Sequence, residues 1–344
     1  NTDWYIQQMK RRAYESQPLP ISMPDDRYKQ GTNDMLPYAE NPAVQEVNLK
    51  QFIELVKQNS ELLQVSYGEG SPAMMSFPTR KFYLDVDTTA VEKLGLIPAD
   101  RRKQLVSRME WDMGKGAIEK KNLVILDMLA TNNWKRPIYF SSTVAGSDFM
   151  NLQPYFQLEG MAYRVLPLKD PNYQPRSSDE GYVQKELMFE NMMKKFAFRN
   201  LNKPGIFYDE NHLRFPANYR DKFARLANAY LAAGDKTKAK QVLDKAFEAM
   251  PDATIPYDYY SPQFVPALVT VGEQARAQDI MDKMTSRAQV ALAYYQTHNP
   301  ALFDIESQTY LLGLQSVYRA AEQVGDQARA TKALELLQQY YPRQ

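Results

Sequence analysis

The chain has 344 residues, with 42 Lys and Arg against 41 Asp and Glu, no cysteine and two histidines. A net charge of +1 argues against a broad electrostatic grip on nucleic acid. Without cysteine there is no disulfide frame, Cys-type zinc site, iron–sulfur cluster or thiol nucleophile. His212 and His298 lie 86 positions apart, which speaks against a histidine-rich metal site; no cofactor or metal is expected. The 44% hydrophobic and 12% aromatic content suits packed cores rather than disorder, and the length suggests two domains. No apolar run approaches the roughly 18 residues of a bilayer span; the stretch 123–129 is short and contains Asp127. No signal peptide is visible. Because Asn1 is not Met, a trimmed or processed product is expected, with further chain upstream.

In chain order, Trp4, Tyr5 and Met9 fit one helical face, followed by Lys10, Arg11 and Arg12 on a solvated end. Residues 18–42 read as irregular loop. Asn48 looks like a helix N-cap, with Gln51 at the capping-box position. Leu49, Phe52, Ile53 and Val56 then repeat at helical spacing. Alternation over 81–86 predicts a strand, and 108–113 a second. Residues 118–131 are nearly apolar all round after Lys120 and Lys121, as in a buried helix. Strands are expected at 137–142 and 161–166. Residues 167–181 form a Pro- and Ser-rich linker, 183–198 a helix, and 203–218 irregular chain. The expected architecture is an α/β (or α+β) domain over 1–170, a linker over 171–182, and an all-α domain over 183–344.

The last third carries internal repeats. Phe223, Leu226, Ala227 and Tyr230 fall on one helix, Gly234 makes a turn, and Ala239, Leu243 and Ala246 fall on the next before Pro251. This spacing resembles a tetratricopeptide unit, in which small residues let two helices approach closely. Leu314, Val317, Tyr318, Ala321, Gly325, Ala330, Leu334, Leu337 and Pro342 repeat the frame. A weaker middle copy uses Phe264, Val265, Leu268, Gly272, Ala277, Met281 and Met284, with extra helix around 288–297. Such units stack into a solenoid with a concave binding surface.

Candidate chemistry is sparse. Asp85-Val86-Asp87 fits the D-x-D pattern that holds a metal and a nucleotide sugar, and the two carboxylates point to one side of a strand; the same residues suit a solvated strand end. Gly68-Glu69-Gly70 and Gly114-Lys115-Gly116 are glycine pairs that continue into no phosphate-binding motif, and read as turns. Lys10-Arg11-Arg12 and Arg101-Arg102-Lys103 are offset by nearby acids and read as solvated faces, the first also as a membrane-surface contact. Ser141, Ser142 and Thr143 lack a nucleophile elbow. In the string 132–140, Asn132 or Asn133 can end the buried helix, Trp134 can cover the turn, and Pro137 can open a strand. Trp134 and Arg136 are the binding candidates there.

Three strings resemble a known family: Asn1 to Ile6, Ala130 to Phe140, and Glu159 to Pro167. They look like segments of large bacterial membrane proteins of the protein O-mannosyltransferase-like family (domain of unknown function 2723), over roughly residues 1–168. The resemblance implies a multi-pass membrane half that performs glycosyl transfer from a polyprenyl-phosphate sugar, and a soluble portion on the periplasmic side of the inner membrane. No catalytic residue of the family falls within this chain. The leading expectation is therefore a non-catalytic region that docks on the membrane domain of the same polypeptide and binds an acceptor or partner protein. The alternatives are a stand-alone tetratricopeptide-type interaction module and a soluble enzyme with an inter-domain pocket.

Overall fold

A computed structural model describes residues 2–340 apart from 67, 69, 176–179 and 299. The chain divides into two compact units, residues 1–158 with 162–182, and residues 159–161 with 183–344. Part of the expected linker, and Glu69 of the first glycine pair, lie outside the described residues, as do Asn1 and Pro342.

The first unit opens with α1 (Asp3–Met9), then β1 (Met35–Leu36), β2 (Val47–Asn48) and α2 (Leu49–Lys57). Next come β3 (Gln64–Val65), β4 (Met74–Met75), β5 (Lys81–Asp85), α3 (Thr88–Lys93) and β6 (Arg108–Asp112). It continues with β7 (Ile118–Glu119), α4 (Lys120–Thr131), β8 (Tyr139–Ser141), β9 (Phe156–Leu158), β10 (Ala162–Val165) and β11 (Tyr182–Val183). The strands form small sheets: β2-β5-β6, β11-β9-β10-β8, and the pairs β1-β7 and β3-β4.

Two aromatic cores explain these layers. In the first, α2 starts where Asn48 Oδ1 accepts from the amides of Lys50 and Gln51, satisfying two donors that have no partner inside the helix. Its Leu49, Phe52, Ile53 and Val56 are all buried. Phe52 meets Phe82 of β5 edge-on at 5.1 Å, and Phe82 stacks on Trp111 of β6 at 6.0 Å. The register pairs Phe82 with Trp111 across antiparallel strands, so alternation delivers both rings to one face. The second core gathers Phe140, Phe149, Phe156 and Tyr163 around the four-stranded sheet.

Sequence and structure part at several points here. On α1 the buried residue is Ile6, while Trp4 and Tyr5 are exposed. The expected solvated cluster at 101–103 contains a buried cation: Arg101 donates to Gln104 and Gln157, both at 2.7 Å, and lies over the Tyr182 ring. Burial lowers its pKa from the usual guanidinium value. In the buried helix α4, Lys120 is covered as well; it pairs with Asp34 and donates to the Lys29 carbonyl.

The second unit contains α5 (Lys185–Phe189), α6 (Glu210–Ala232), α7 (Lys236–Ala249), α8 (Val265–Thr270), α9 (Gln274–Thr297), α10 (Asp304–Val324) and α11 (Gln327–Tyr340). The helix expected over 183–198 is cut short: after α5 the chain passes into a π-helical turn, Glu190–Lys195. There Asn191 Nδ2 donates to the Glu159 carbonyl at 2.6 Å. The irregular stretch expected over 203–218 is already helical from Glu210, because Asp209 caps the His212 amide and the helix accommodates Pro216. A proline removes one backbone bond from a helix interior, and the turns preceding it are largely exposed.

Helices pack in hairpins, α6 on α7, α8 on α9, and α10 on α11. Turn residues Gly234, Gly272 and Gly325 all have φ between +75° and +86°, a region that only glycine enters without strain. Phe223, Leu226, Ala227, Tyr230, Ala239, Leu243 and Ala246 are buried, as are all the apolar residues assigned to the middle copy. The extra helix of that copy is simply the extension of α9 to Thr297. In the last copy Leu334 departs from its expected buried face and is exposed.

Candidate functional site

The corner after α4 is closely held by side-chain bonds to its backbone. Asn132 clasps the residue four places on: its Oδ1 accepts from the Arg136 amide at 3.0 Å, and its Nδ2 donates to the Arg136 carbonyl at 2.6 Å. Between them Asn133 and Trp134 both take positive φ, +46° and +62°. Asparagine tolerates this region, but a tryptophan there must be held by its surroundings. Lys50 of α2 donates to Asn133 Oδ1 at 3.2 Å. Arg136 Nη1 donates to the carbonyls of Gln17 and Pro18 at 2.7 and 2.9 Å. The half-buried Trp134 thus sits on a corner pinned from both sides.

The start of α2 also reaches the other candidate pair. Asn48 Nδ2 donates to Asp85 Oδ2 at 2.9 Å, two residues before Lys50 reaches Asn133. Asp87 caps α3 by accepting from the Ala90 amide at 3.0 Å. Both carboxylates are exposed, and each has its own local task. Among the described residues, no group of three or more His, Cys, Asp or Glu is placed to hold a metal ion. Ser141 Oγ and Thr143 Oγ1 bond to each other at 2.9 Å. His212 pairs with Asp209 at 2.7 Å, and His298 stacks on Tyr294 at 4.2 Å. The His212 amide and ring together hold the Asp209 carboxyl below the usual carboxylate value.

The buried polar centres carried little sequence signal. Asp127 has no exposed surface and accepts from the Ser22 amide and hydroxyl, the Met23 amide, Tyr28 and Thr131. In the second unit Arg220 is buried and donates to the carbonyls of Pro256 and Ile255 and to Asp258. Nearby Arg287 grips Asp252 with two bonds, 2.6 and 2.8 Å. A shallow cleft at the start of α6 is lined by Phe198, Arg199, Tyr208, His212, Phe215 and Tyr219.

These features define a mixed α/β unit with internally anchored loops, followed in the same chain by a unit of helical hairpins. A family model described as TMEM260-associated domain 2 matches residues 1–187, more than half of the sequence, and the chain belongs to that family. No curated protein and no solved structure matches it. No helix among the described residues is long and apolar enough to cross a membrane.

Proposed function

We propose that this chain is a non-catalytic region of a multi-pass membrane glycosyltransferase of the protein O-mannosyltransferase type. The observation that carries the reading is the family match over residues 1–187, to a domain described as associated with TMEM260. The three strings that resemble the O-mannosyltransferase-like family fall inside the same span. In this reading the first unit docks on the membrane domain of the same polypeptide, on the periplasmic side of the inner membrane. The pinned corner of Trp134 and Arg136, with Asp85 and Asp87, is the contact we assign to docking. The tetratricopeptide-like hairpins bind a protein acceptor or partner.

The test has two arms. The chain incubated with a polyprenyl-phosphate sugar and a protein acceptor should transfer no sugar; turnover would show that it is itself catalytic. Co-expressed with the membrane domain, it should co-purify, and Trp134→Ala with Arg136→Ala should weaken capture. Undiminished capture by that variant removes the corner from the interface.

The hairpins favour one other reading, a plain interaction module. Its mark is that the same partners are recovered after residues 1–182 are deleted.

A further inference from the structure

Between the π-helical turn and α6 the chain makes a loop, residues 196–209, that is tied down at its limbs and bare at its tip. Phe198 packs against Tyr219 and Phe223 at 5.6 and 5.4 Å. Thr254 Oγ1 donates to the Leu201 carbonyl at 2.6 Å. The Asn200 carbonyl accepts from the Lys203 amide and the Tyr208 hydroxyl, both at 3.0 Å, which closes the loop on itself. Gly205 makes the turn with φ +81°. Ile206 and Phe207 follow on the outside, and Phe207 is 90% exposed. Phe215 of α6, which lines the same cleft as Tyr208, is exposed too.

The charge of this stretch departs from that of the chain. Residues 194–214 hold five cations, Lys194, Lys195, Arg199, Lys203 and Arg214, against Asp209 and Glu210, a balance of +3 where the whole sequence has +1. Asp209 is taken up by the amide and ring of His212. The side chains of Arg199, Lys203 and Arg214 are exposed and make no ion pair among the described residues.

A second apolar edge lies at the same end of this unit. Tyr295 of α9 stacks on Phe303 at 4.6 Å. Burial, then Tyr310, Glu306 and Glu210, raise the Tyr295 phenol, so the start of α6 is close to the connection between α9 and α10. On either side of Phe303 and Asp304, Leu302 and Ile305 are 71% and 78% exposed. Single exposed apolar residues need no explanation; these gather at one end and are flanked by unpaired cations. A protein interface suits them poorly, because its core is depleted of Lys and is built from anchors seated in pockets. The boundary of an anionic bilayer takes both features at once: apolar tips reach the acyl chains, and Lys and Arg meet lipid phosphate.

We propose that this end of the second unit binds the surface of an anionic lipid bilayer, with Ile206 and Phe207 inserted and Arg199, Lys203 and Arg214 at the lipid phosphates. Leu302 and Ile305 are the second point of apolar contact. The cations draw the unit in over a Debye length, about 8–10 Å at ordinary salt, and the apolar tip holds it there. This contact needs nothing from the proposed docking of the first unit and can fail without it.

The probe is a set of vesicles of phosphatidylglycerol mixed with phosphatidylcholine, beside vesicles of phosphatidylcholine alone, sedimented with the full chain. The chain should pellet with the anionic vesicles, far less with the neutral ones, and less as salt rises. Phe207→Ser should weaken binding to the anionic vesicles about tenfold. Arg199→Glu combined with Lys203→Glu should weaken it at least about tenfold. These side chains are exposed, so the urea midpoints of the variants should match that of the parent. Phe207→Trp should add an emission that shifts to the blue with anionic vesicles, beyond any shift of the parent. Failure to bind anionic vesicles, or binding unmoved by Phe207→Ser and by the charge reversals, overturns the proposal. So does a dimer of the chain in solution that Phe207→Ser dissociates, which would give the loop to a second copy.

Discussion

The Tyr28 hydroxyl donates to Asp127 Oδ2 at 3.0 Å where neither residue has exposed surface. Asp127 has no cation beside it among the described residues. The amides of Ser22 and Met23 and the hydroxyls of Ser22, Tyr28 and Thr131 satisfy it instead. A buried polar group left unbonded is costly, so these bonds fasten the loop before β1 to α4.

Asp127→Asn turns one acceptor into a donor that faces other donors. The expected loss is about 3 kcal/mol, against about 1 kcal/mol for Tyr28→Phe, which removes one bond and leaves the carboxylate otherwise satisfied. Urea unfolding of the two variants measures both. An Asp127→Asn protein as stable as the parent would refute the anchoring role.

Gly181 and Gly234 both have positive φ, +74° and +79°, but differ in their surroundings. A Cβ on Gly181 would meet Phe156 Cβ at 2.8 Å and its carbonyl oxygen at 3.0 Å, whereas one on Gly234 would meet nothing within 4 Å. Gly234→Ala should therefore cost only the conformational strain, about 1–2 kcal/mol. Gly181→Ala should cost at least about 1 kcal/mol more, because backbone must move. Equal thermal shifts for the two would contradict this.

Arg220 satisfies carbonyls in the segment after α7 as well as Asp258. Arg220→Met keeps volume but strands these acceptors, at an expected cost of about 3–5 kcal/mol. Arg220→Lys should recover little, because an ammonium cannot spread its donors as the planar fork does. Guanidinium denaturation followed by far-ultraviolet circular dichroism separates the three proteins.

Tyr257 gives an alkaline signature. Burial, then the charges of Asp279 and Asp252, push its hydroxyl up from 10.0 to about 12. The unfolded phenol ionises near pH 10, so the stability linked to this group is complete below pH 10 and is lost as pH rises through 12. Tyr257→Phe should flatten part of that decline, read as the urea midpoint between pH 9 and 12. Tyr260, raised mainly by burial, contributes to the remainder.

The parts legible in the sequence were those governed by neighbours along the chain. The Asn48 cap, the apolar face of α2, the alternation in β5 and the glycine turns all follow from spacings of a few residues. The end of α4 was legible too, since Asn132 acts locally. What was hidden depends on distant partners. Arg101 looked solvated until Gln157 and Tyr182 covered it, and Asp127 looked like a break in an apolar run until Ser22 and Tyr28 enclosed it. Pro216 suggested irregular chain, but the Asp209 cap and the packing beyond it carry the helix through. Of the candidate site, residue identities were readable at Trp134 and Arg136, but not the paired left-handed backbone or the hold on Gln17 and Pro18.

The separations spanned by these contacts set an order of events during synthesis. Arg276 and Arg329 find Asp244 and Asp282 at 32 and 47 positions' distance, so each hairpin can consolidate soon after it leaves the ribosome. Ser22 and Gln17 wait for Asp127 and Arg136, 105 and 119 positions downstream. Closing loops that long is slow compared with local helix pairing. The segment around residues 17–22 is thus among the last of its own unit to be secured, and it stays open to proteases and chaperones until α4 and its corner have been made.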